Sequence, residues 1–391
     1  MKKVLIVILI VSLFSVITLA TFYRQPVNSN ESPVTTQTTP PPPSVTLVAA
    51  GDIIMHTPIV KSAYNQATKS YNFDPIFTEV NDIFMNADFA TAVLETPLEA
   101  PGKDYTGYPT FNAPGSITDS LKKIGIDLVF TAHNHSMDKG IPGITSTVNY
   151  LNQIDLPQTG LRINESDPRY YFKSINGINL AFFSYTTSTN GIRVPPGKEW
   201  MLNTLNYNNI DLLAEEIKKV KAAGADAVIL ALHTGTEYQR IPSAEQHQII
   251  NKLIEIGVDI ILGSHVHVIQ PYEFREYTDS NGNKRRCFIA YSLGNFLSNQ
   301  QWRYSDCGLI LTLKLVKEPD KPGIIIDEIS HLPVWVNRYL TEGKYQYRIL
   351  KVTGPHYSGD DPAMNPEKRR QYTEVWNDTQ QLLQSWTNQS K

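Results

Sequence analysis

The stretch "SAEQHQIINKLIEIGVDIILGSHVH", residues 243–267, runs through a helix, a stop, a strand and a pair of histidines in direct succession. Ile250, Leu253 and Ile254 recur at helical spacing. Gly257 interrupts that period, as glycine does where a helix closes in a left-handed turn. Residues 260–262 then form an uninterrupted apolar run. A helix that stops at glycine and feeds such a run is the αβ half of a crossover unit, its strand buried on both faces. The same order recurs in "SITDSLKKIGIDLVFTAHNH", residues 116–135, with Ser116 and Asp119 in capping positions and Gly125 as the stop. It recurs again in "IDLLAEEIKKVKAAGADAVILALH", residues 210–233, where Leu213, Ile217 and Val220 share a helical face and Gly224 ends it. Further strands are read in "SVTLVAAGD" (44–52), "ADFATAVLE" (87–95), "NLAFFSYT" (179–186) and "CFIAYSLGN" (287–295), and a late antiparallel one in "CGLILTLKLV" (307–316). Helices alternating with buried strands predict an α/β fold with a mixed sheet system.

The polar residues fall where that fold places chemistry. Asp52, Glu95, Asn134, His135, His233, His265 and His267 each sit at or just past the C-terminal end of an apolar strand. Open α/β sheets bind ligands along that edge. One histidine after a strand is ordinarily a satisfied loop residue; seven residues of ligand or acid–base type on one edge form a constellation. His265 and His267 follow a Gly-Ser turn and share a face if the backbone stays extended. His133 and His135, in "TAHNHSMDKG" (131–140), have the same spacing and suggest a second clasp. Carboxylates, an amide carbonyl and imidazoles suit Mn, Fe or Zn ions bound for chemistry, not a thiolate-type structural zinc. The set is too large for one ion. Two divalent ions sharing a carboxylate, about 3.5–4 Å apart, are the apparatus of in-line phosphoester hydrolysis.

The rest of the chain sets the context. With 391 residues, 41% of them hydrophobic, it is long enough for one large domain or two ordinary ones. A net charge of −3 lacks the electrostatic footprint of a nucleic-acid binder. Lys2 and Lys3 precede the uncharged run "VLIVILIVSLFSVITLATF", residues 4–22. At ~1.5 Å per residue it spans one hydrocarbon core, which favours an uncleaved anchor over a cleaved signal peptide in residues 1–23. Either way the two lysines stay cytoplasmic and the body lies outside, anchored by a single pass or secreted. Residues 24–44, "RQPVNSNESPVTTQTTPPPPS", read as a partly polyproline linker. Cys287 and Cys307 permit a disulfide outside the cytoplasm but do not demand one. Lys284, Arg285 and Arg286 read as a solvated hairpin loop, or as a contact for a polyanion.

"AAGDIIMH", "LETPL", "TAHNHSMDKG", "LALHTGTEY", "LGSHVHVIQP" and "YSLGNFLSNQ", in this order, resemble the CapA family of poly-gamma-glutamate capsule synthesis proteins, of the calcineurin-like metallophosphatase superfamily. The resemblance covers about residues 44–340 and implies a four-layer sandwich, two mixed sheets flanked by helices, occupying residues 45–340. It implies two divalent ions, Mn, Fe or Zn, with Asp52 on the first, Glu95 bridging both, and Asn134 on the second. His233 and His265 would bind the second ion and His267 the first. His135 would protonate the leaving group or steady the nucleophile. Asp138 and Glu237 would orient histidines, and Asn295 would lie at the rim. On this reading the chain turns near Ala132, so the 133/135 clasp dissolves and His133 becomes a variant position at the rim. The chain departs from the superfamily where Ile54 replaces the usual histidine two residues after Asp52, with His56 a displaced substitute, and where Val93 stands in place of an asparagine. The implied function is an extracytoplasmic metal-dependent phosphoesterase or related hydrolase in capsule or poly-gamma-glutamate biosynthesis. The alternative is a membrane-tethered component for assembly or export of that or a similar anionic polymer, without turnover. Its partners would be an anionic envelope polymer or a phosphoester, the membrane, and membrane proteins of capsule synthesis, with no nucleic acid. Residues 341–391 read as an extension packing on the domain, with Tyr372, Val375, Leu382 and Leu383 as the partial apolar face of a helix.

Overall fold

The computed structural model describes residues 41–100, 104–206, 210–278, 282, 284–319 and 321–389. The expected membrane segment (1–23) and nearly all of the linker (24–44) lie outside the described residues. Among the described residues no helix is long and apolar enough to cross a membrane. In chain order the elements are β1 (Ser44–Ile53), α1 (Thr57–Ala63), β2 (Tyr64–Asn65), β3 (Ser70–Tyr71), α2 (Asp74–Phe77), α3 (Asn81–Met85), β4 (Phe89–Leu94), α4 (Ser116–Lys123), β5 (Leu128–Phe130), α5 (Gly140–Gln153), β6 (Gln158–Thr159), β7 (Tyr170–Ile175), β8 (Ile178–Thr186), α6 (Ile210–Ala222), β9 (Ala227–His233), α7 (Ala244–Glu255), β10 (Ile260–Ser264), β11 (Tyr272–Thr278), β12 (Lys284–Ala290), β13 (Asn295–Leu297), β14 (Cys307–Val316), β15 (Ile325–Thr341), β16 (Lys344–Lys351) and α8 (Pro366–Gln389).

Two mixed sheets dominate. The first runs β16-β15-β14-β1-β4-β5-β6, with β13 beside β1; the second runs β11-β12-β10-β9-β8-β7. In the first, β1, β4, β5 and β6 are parallel, and β14 joins β1 antiparallel. In the second, β8, β9, β10 and β12 are parallel, and β7 and β11 flank them antiparallel. Alternation along each strand builds the layers. Val45, Leu47 and Ala49 of β1 meet Leu180, Ile229 and Leu262 of the second sheet in one core. Val48 and Ala50 point the other way, toward Ile59, Phe77, Ile117 and Leu151 of the helices on the outer face. Leu213, Ile217, Val220, Ile250 and Leu253 of α6 and α7 cover the outer face of the second sheet. The result is helix, sheet, sheet, helix: the four-layer α/β sandwich that the resemblance implies. Both faces of the central strands are buried, which is why their sequences read as continuous apolar runs.

Local chemistry places the ends of the elements. Ser243 caps α7 in a reciprocal capping box with Gln246. Ser116 does not cap α4; it is the first helical residue, Gly115 takes the cap position, and the serine hydroxyl is buried without a partner. The Lys284–Arg286 run opens strand β12 and is not a loop: Arg285 pairs with Asp259, and Arg286 stacks on Phe274. Residues 344–351 complete the first sheet as β16, and α8 buries Tyr372, Val375, Leu382 and Leu383. Cys287 and Cys307 are buried and free.

Three backbones crowd at the end of β1. The register between β1 and β4 shifts between Ala50 and Asp52. The Asp52 N–H donates to the Gly294 carbonyl at 2.9 Å. A Cβ on Gly51 would lie 2.0 Å from the Gly294 oxygen, and one on Gly308 2.5 Å from the Asn295 oxygen. Gly51→Ala is therefore expected to lower stability by about 1–3 kcal/mol through overpacking, read from the urea unfolding midpoint. An unchanged midpoint would mean that β1 and the Gly294 turn do not approach as described.

Candidate metal centre

The constellation assembles where the C-terminal edges of the two sheets face each other. Asp52 lies near the end of β1, Glu95 one residue past β4, and Asn134 and His135 in the turn after β5. From the second sheet come His233, the last residue of β9, and His265 and His267, just past β10. All seven are buried. Ligand atoms of Glu95, His233 and His265 lie within 4.8 Å of one another, and so do those of Asp52, Glu95 and His267. Glu95 belongs to both groups. His233 Nε2 is 3.5 Å from Glu95 Oε1; His267 Nδ1 is 3.6 Å from Asp52 Oδ2 and 3.8 Å from Glu95 Oε2. Asn134 Oδ1 accepts from His233 Nε2 at 3.0 Å, which brings the amide to the Glu95, His233 and His265 group.

The two histidines after β10 do not share a strand face. The strand ends at Ser264, and His265 and His267 adopt left-handed backbone, with φ of +94° and +62°. Such backbone is strained for non-glycine residues and persists only where its surroundings hold it. Here the His265 N–H donates to Asp52 Oδ2 at 3.1 Å, joining the two sheets across the site. The two rings are thereby aimed into different groups. The chain likewise leaves β5 at Phe130, so Asn134 is not tied to the face opposite its neighbours.

The polar atoms of the centre do not satisfy one another. Asp52 Oδ1, both Glu95 oxygens and His265 Nδ1 are buried without a hydrogen-bond partner. Buried carboxylate oxygens left bare cost several kcal/mol, ~2–7 even for neutral polar groups, and a cation bound among them removes that cost. The donor set, carboxylate oxygen with imidazole nitrogen, is the one borderline divalent ions take. The residues therefore fit a pair of divalent metal ions. Burial holds His233 at about 3 and His265 at about 2, so both imidazoles are neutral and open to a ligand role. Burial pushes Glu95 up to about 8, with His267 opposing and Asp52 reinforcing. Burial alone would lower His267, but the Glu95 and Asp52 carboxylates outweigh it and hold the ring at about 9. Both upward shifts favour the protonated forms of Glu95 and His267 at neutral pH.

Hydrogen bonds from a surrounding shell orient the rings. Asp138 Oδ2 lies 2.8 Å from His135 Nδ1 and also accepts the Phe111 N–H at 2.7 Å. Ser264 Oγ meets His233 Nδ1 at 2.8 Å, and Asn295 Oδ1 meets His267 Nδ1 at 3.2 Å. Glu237 does not serve as an orienting residue: it is exposed, and it reaches His267 only through its charge. His133 is not at the rim either. It is 2% exposed, with its ring 6.1 Å from that of His233, and burial lowers it well below the usual histidine range. His56 accepts the Asn299 N–H at 3.3 Å, stands edge-on to Phe111, and belongs to neither ligand group. Ile54 and Val93 are core residues.

Two supporting residues are absent from the sequence reading. Asn190, after β8, accepts from Asn134 Nδ2 at 3.3 Å and lies 3.5 Å from the His135 ring. Its only signal is a turn-like Thr-Asn-Gly that follows a strand. Ser264, the partner of His233, could have been suspected from its place beside the histidine pair.

The family model for the bacterial capsule synthesis protein PGA_cap matches residues 46–300, and the chain belongs to that family. It is 28% identical over 279 residues to the capsule biosynthesis protein CapA of Bacillus anthracis, covering 68% of this chain and 63% of that protein. It is 27% identical over 267 residues to the PGA biosynthesis protein CapA of Bacillus subtilis (strain 168), covering 66% and 65%. The match thus spans just under two thirds of the length of these relatives. Partial structural overlaps exist with the NAD nucleotidase NadN of Haemophilus influenzae (TM-score 0.44, 13% identity, 86% of this chain and 56% of that one) and the calcineurin-like phosphoesterase YfkN of Bacillus subtilis (TM-score 0.42, 15% identity, 87% and 98%).

Metal ligands must shed their protons to bind. Binding of Mn²⁺ to the metal-free protein is expected to release protons from both Glu95 and His267 at pH 7, and to weaken as pH falls through about 9 and about 8, where His267 and Glu95 take up protons. Calorimetry in buffers of different ionisation enthalpy measures this directly. Binding without proton release would remove Glu95 and His267 from the ligand set.

Proposed function

We propose that the protein is a two-metal phosphoesterase-type hydrolase of capsule or poly-gamma-glutamate biosynthesis, working outside the cytoplasm. The observation that carries this reading is the pair of buried acid–histidine groups that share Glu95. Asp52, Glu95 and His267 would hold one ion; Glu95, His233, His265 and Asn134 would hold the other. Two divalent ions so held supply Lewis acidity and neutralise developing charge in phosphoester cleavage. The chain's own residues account for the proton. The Asp138 carboxylate accepts from His135 Nδ1, which leaves Nε2 as the ring nitrogen that can hand a proton to a departing oxygen. Phe111 stands edge-on to His135, ring centroids 4.6 Å apart, and limits the ring's freedom to turn.

The capsule setting rests on the family to which the chain belongs. The location rests on residues 1–23 as a membrane anchor, or as a signal peptide if cleaved, with residues 24–44 as a spacer. The corresponding partners are a phosphoester or an anionic envelope polymer and membrane proteins of capsule synthesis. One observation favours a second reading, binding of polymer carboxylates without turnover for assembly or export. Ile54 and Val93 are buried apolar residues where the superfamily offers polar side chains, so among the described residues the Asp52 group comprises Asp52, Glu95 and His267.

A single set of measurements separates the readings. The full chain, loaded with Mn²⁺, is expected to hydrolyse bis-p-nitrophenyl phosphate. His135→Ala is expected to lower kcat by about 10²–10⁴ with metal content retained. Asp138→Asn should cost about 10–100-fold, and His265→Ala should lose metal. Metal bound without turnover supports the binding reading. Turnover that survives His135→Ala removes that residue from its role, and a chain that binds no metal refutes the centre.

A further inference from the structure

The hydrogen bonds that hold His267 continue outward to the surface. Asn295, its partner, donates through Nδ2 to Gln300 Oε1 at 2.9 Å and to the Ser305 carbonyl at 2.7 Å. Gln300 Nε2 donates to the Tyr238 hydroxyl at 3.2 Å. The Tyr238 ring lies 5.8 Å from the His267 ring and stands edge-on to Trp302 at 5.4 Å. The same two loops are gripped from behind. Arg240 and Arg303 both stack over Tyr304, at 4.2 and 5.0 Å. Helix α8 pins both arginines: Arg240 donates to the Asp378 carbonyl at 2.8 Å, and Arg303 pairs with the carboxylates of Asp378 at 2.7 Å and Glu374 at 3.0 Å.

So the loops that carry Tyr238 and Trp302 are tied both to a residue of the metal centre and to a helix. Yet Tyr238 is 42% exposed and Trp302 is 52% exposed. Large aromatic rings held in place and left wet beside a polar site are surface for a ligand. We infer that Tyr238 and Trp302 form a subsite for the ring of a sugar phosphoester, whose phosphate lies at the Asp52–Glu95–His267 side of the centre. This rests on the two-metal reading above. The angle between the rings selects the occupant. They stand at 73° to each other and do not form the parallel-walled slot that a flat aryl ring would fill. A single aromatic face, negative at its centre, suits the weakly positive C–H face of a pyranose.

The test compares three probes on the full chain loaded with Mn²⁺, by calorimetry: inorganic phosphate, glucose 1-phosphate and phenyl phosphate. Glucose 1-phosphate is expected to bind about fivefold tighter than inorganic phosphate, the size of one aromatic contact. In Trp302→Ala that ratio should fall to near one, and in Trp302→Phe it should persist. The subsite is overturned if glucose 1-phosphate has no advantage, if the ratio survives Trp302→Ala, or if phenyl phosphate alone gains. If none of the three binds, the two-metal reading falls and takes the subsite with it.

Discussion

Two carboxyl groups, Asp52 and Glu95, are fully buried where the edges of two sheets meet, and three of their four oxygens have no hydrogen-bond partner. An interior cannot keep such groups bare without large cost, because water is gone and nothing replaces it. The surrounding structure answers this constraint. Histidines arrive from the opposite sheet, and His265 and His267 accept left-handed backbone to point their rings at the carboxyls. Gly51, Gly294 and Gly308 let three backbones pass close enough to set Asp52 in place. In the metal-free protein, protonation of Glu95 and His267 offsets part of the charge. Divalent ions would offset all of it, which ties the stability of the centre to its occupancy.

The same constraint explains where rigidity lies. The orienting bonds to His135, His233 and His267 come from Asp138, Ser264 and Asn295, each buried or held by further bonds. Ligand geometry is then set by packed elements and not by free rotamers. The support extends past the matched family region of residues 46–300: Arg303 and its partners Glu374 and Asp378 couple α8 to the loop that carries Gln300 and Trp302. Residues 341–391 therefore do more than cover the core. Their strand closes one edge of the first sheet, and their helix steadies the rim of the site.

Much of this was legible in the residues. Apolar strand runs and glycine stops marked the α/β order, because burial on both faces leaves no room for polar alternation. The acids and histidines at strand ends marked the edge, because parallel strands deliver all their C-termini to one side. The individual neighbours were harder to read. Glu237 looked like an orienting residue from the family resemblance, but it is exposed. His133 looked like a rim residue, but it packs against His233. Asn190 carried only a turn-like signal, since its contact with Asn134 spans 56 residues.

By itself, then, the sequence determined the alternation of helices with buried strands, the edge on which the chemistry gathers, and the residue types that suit divalent metal. These depend on local periodicity and on the direction of each strand. Only the tertiary structure decided how the histidines reach the carboxyls and which hydrogen bond orients each ring; the sharing of Glu95 was already implied by the family resemblance. Those pairings join the two sheets across distances of many residues. They depend on left-handed turns after β10 and on glycine contacts at β1, which no local pattern encodes.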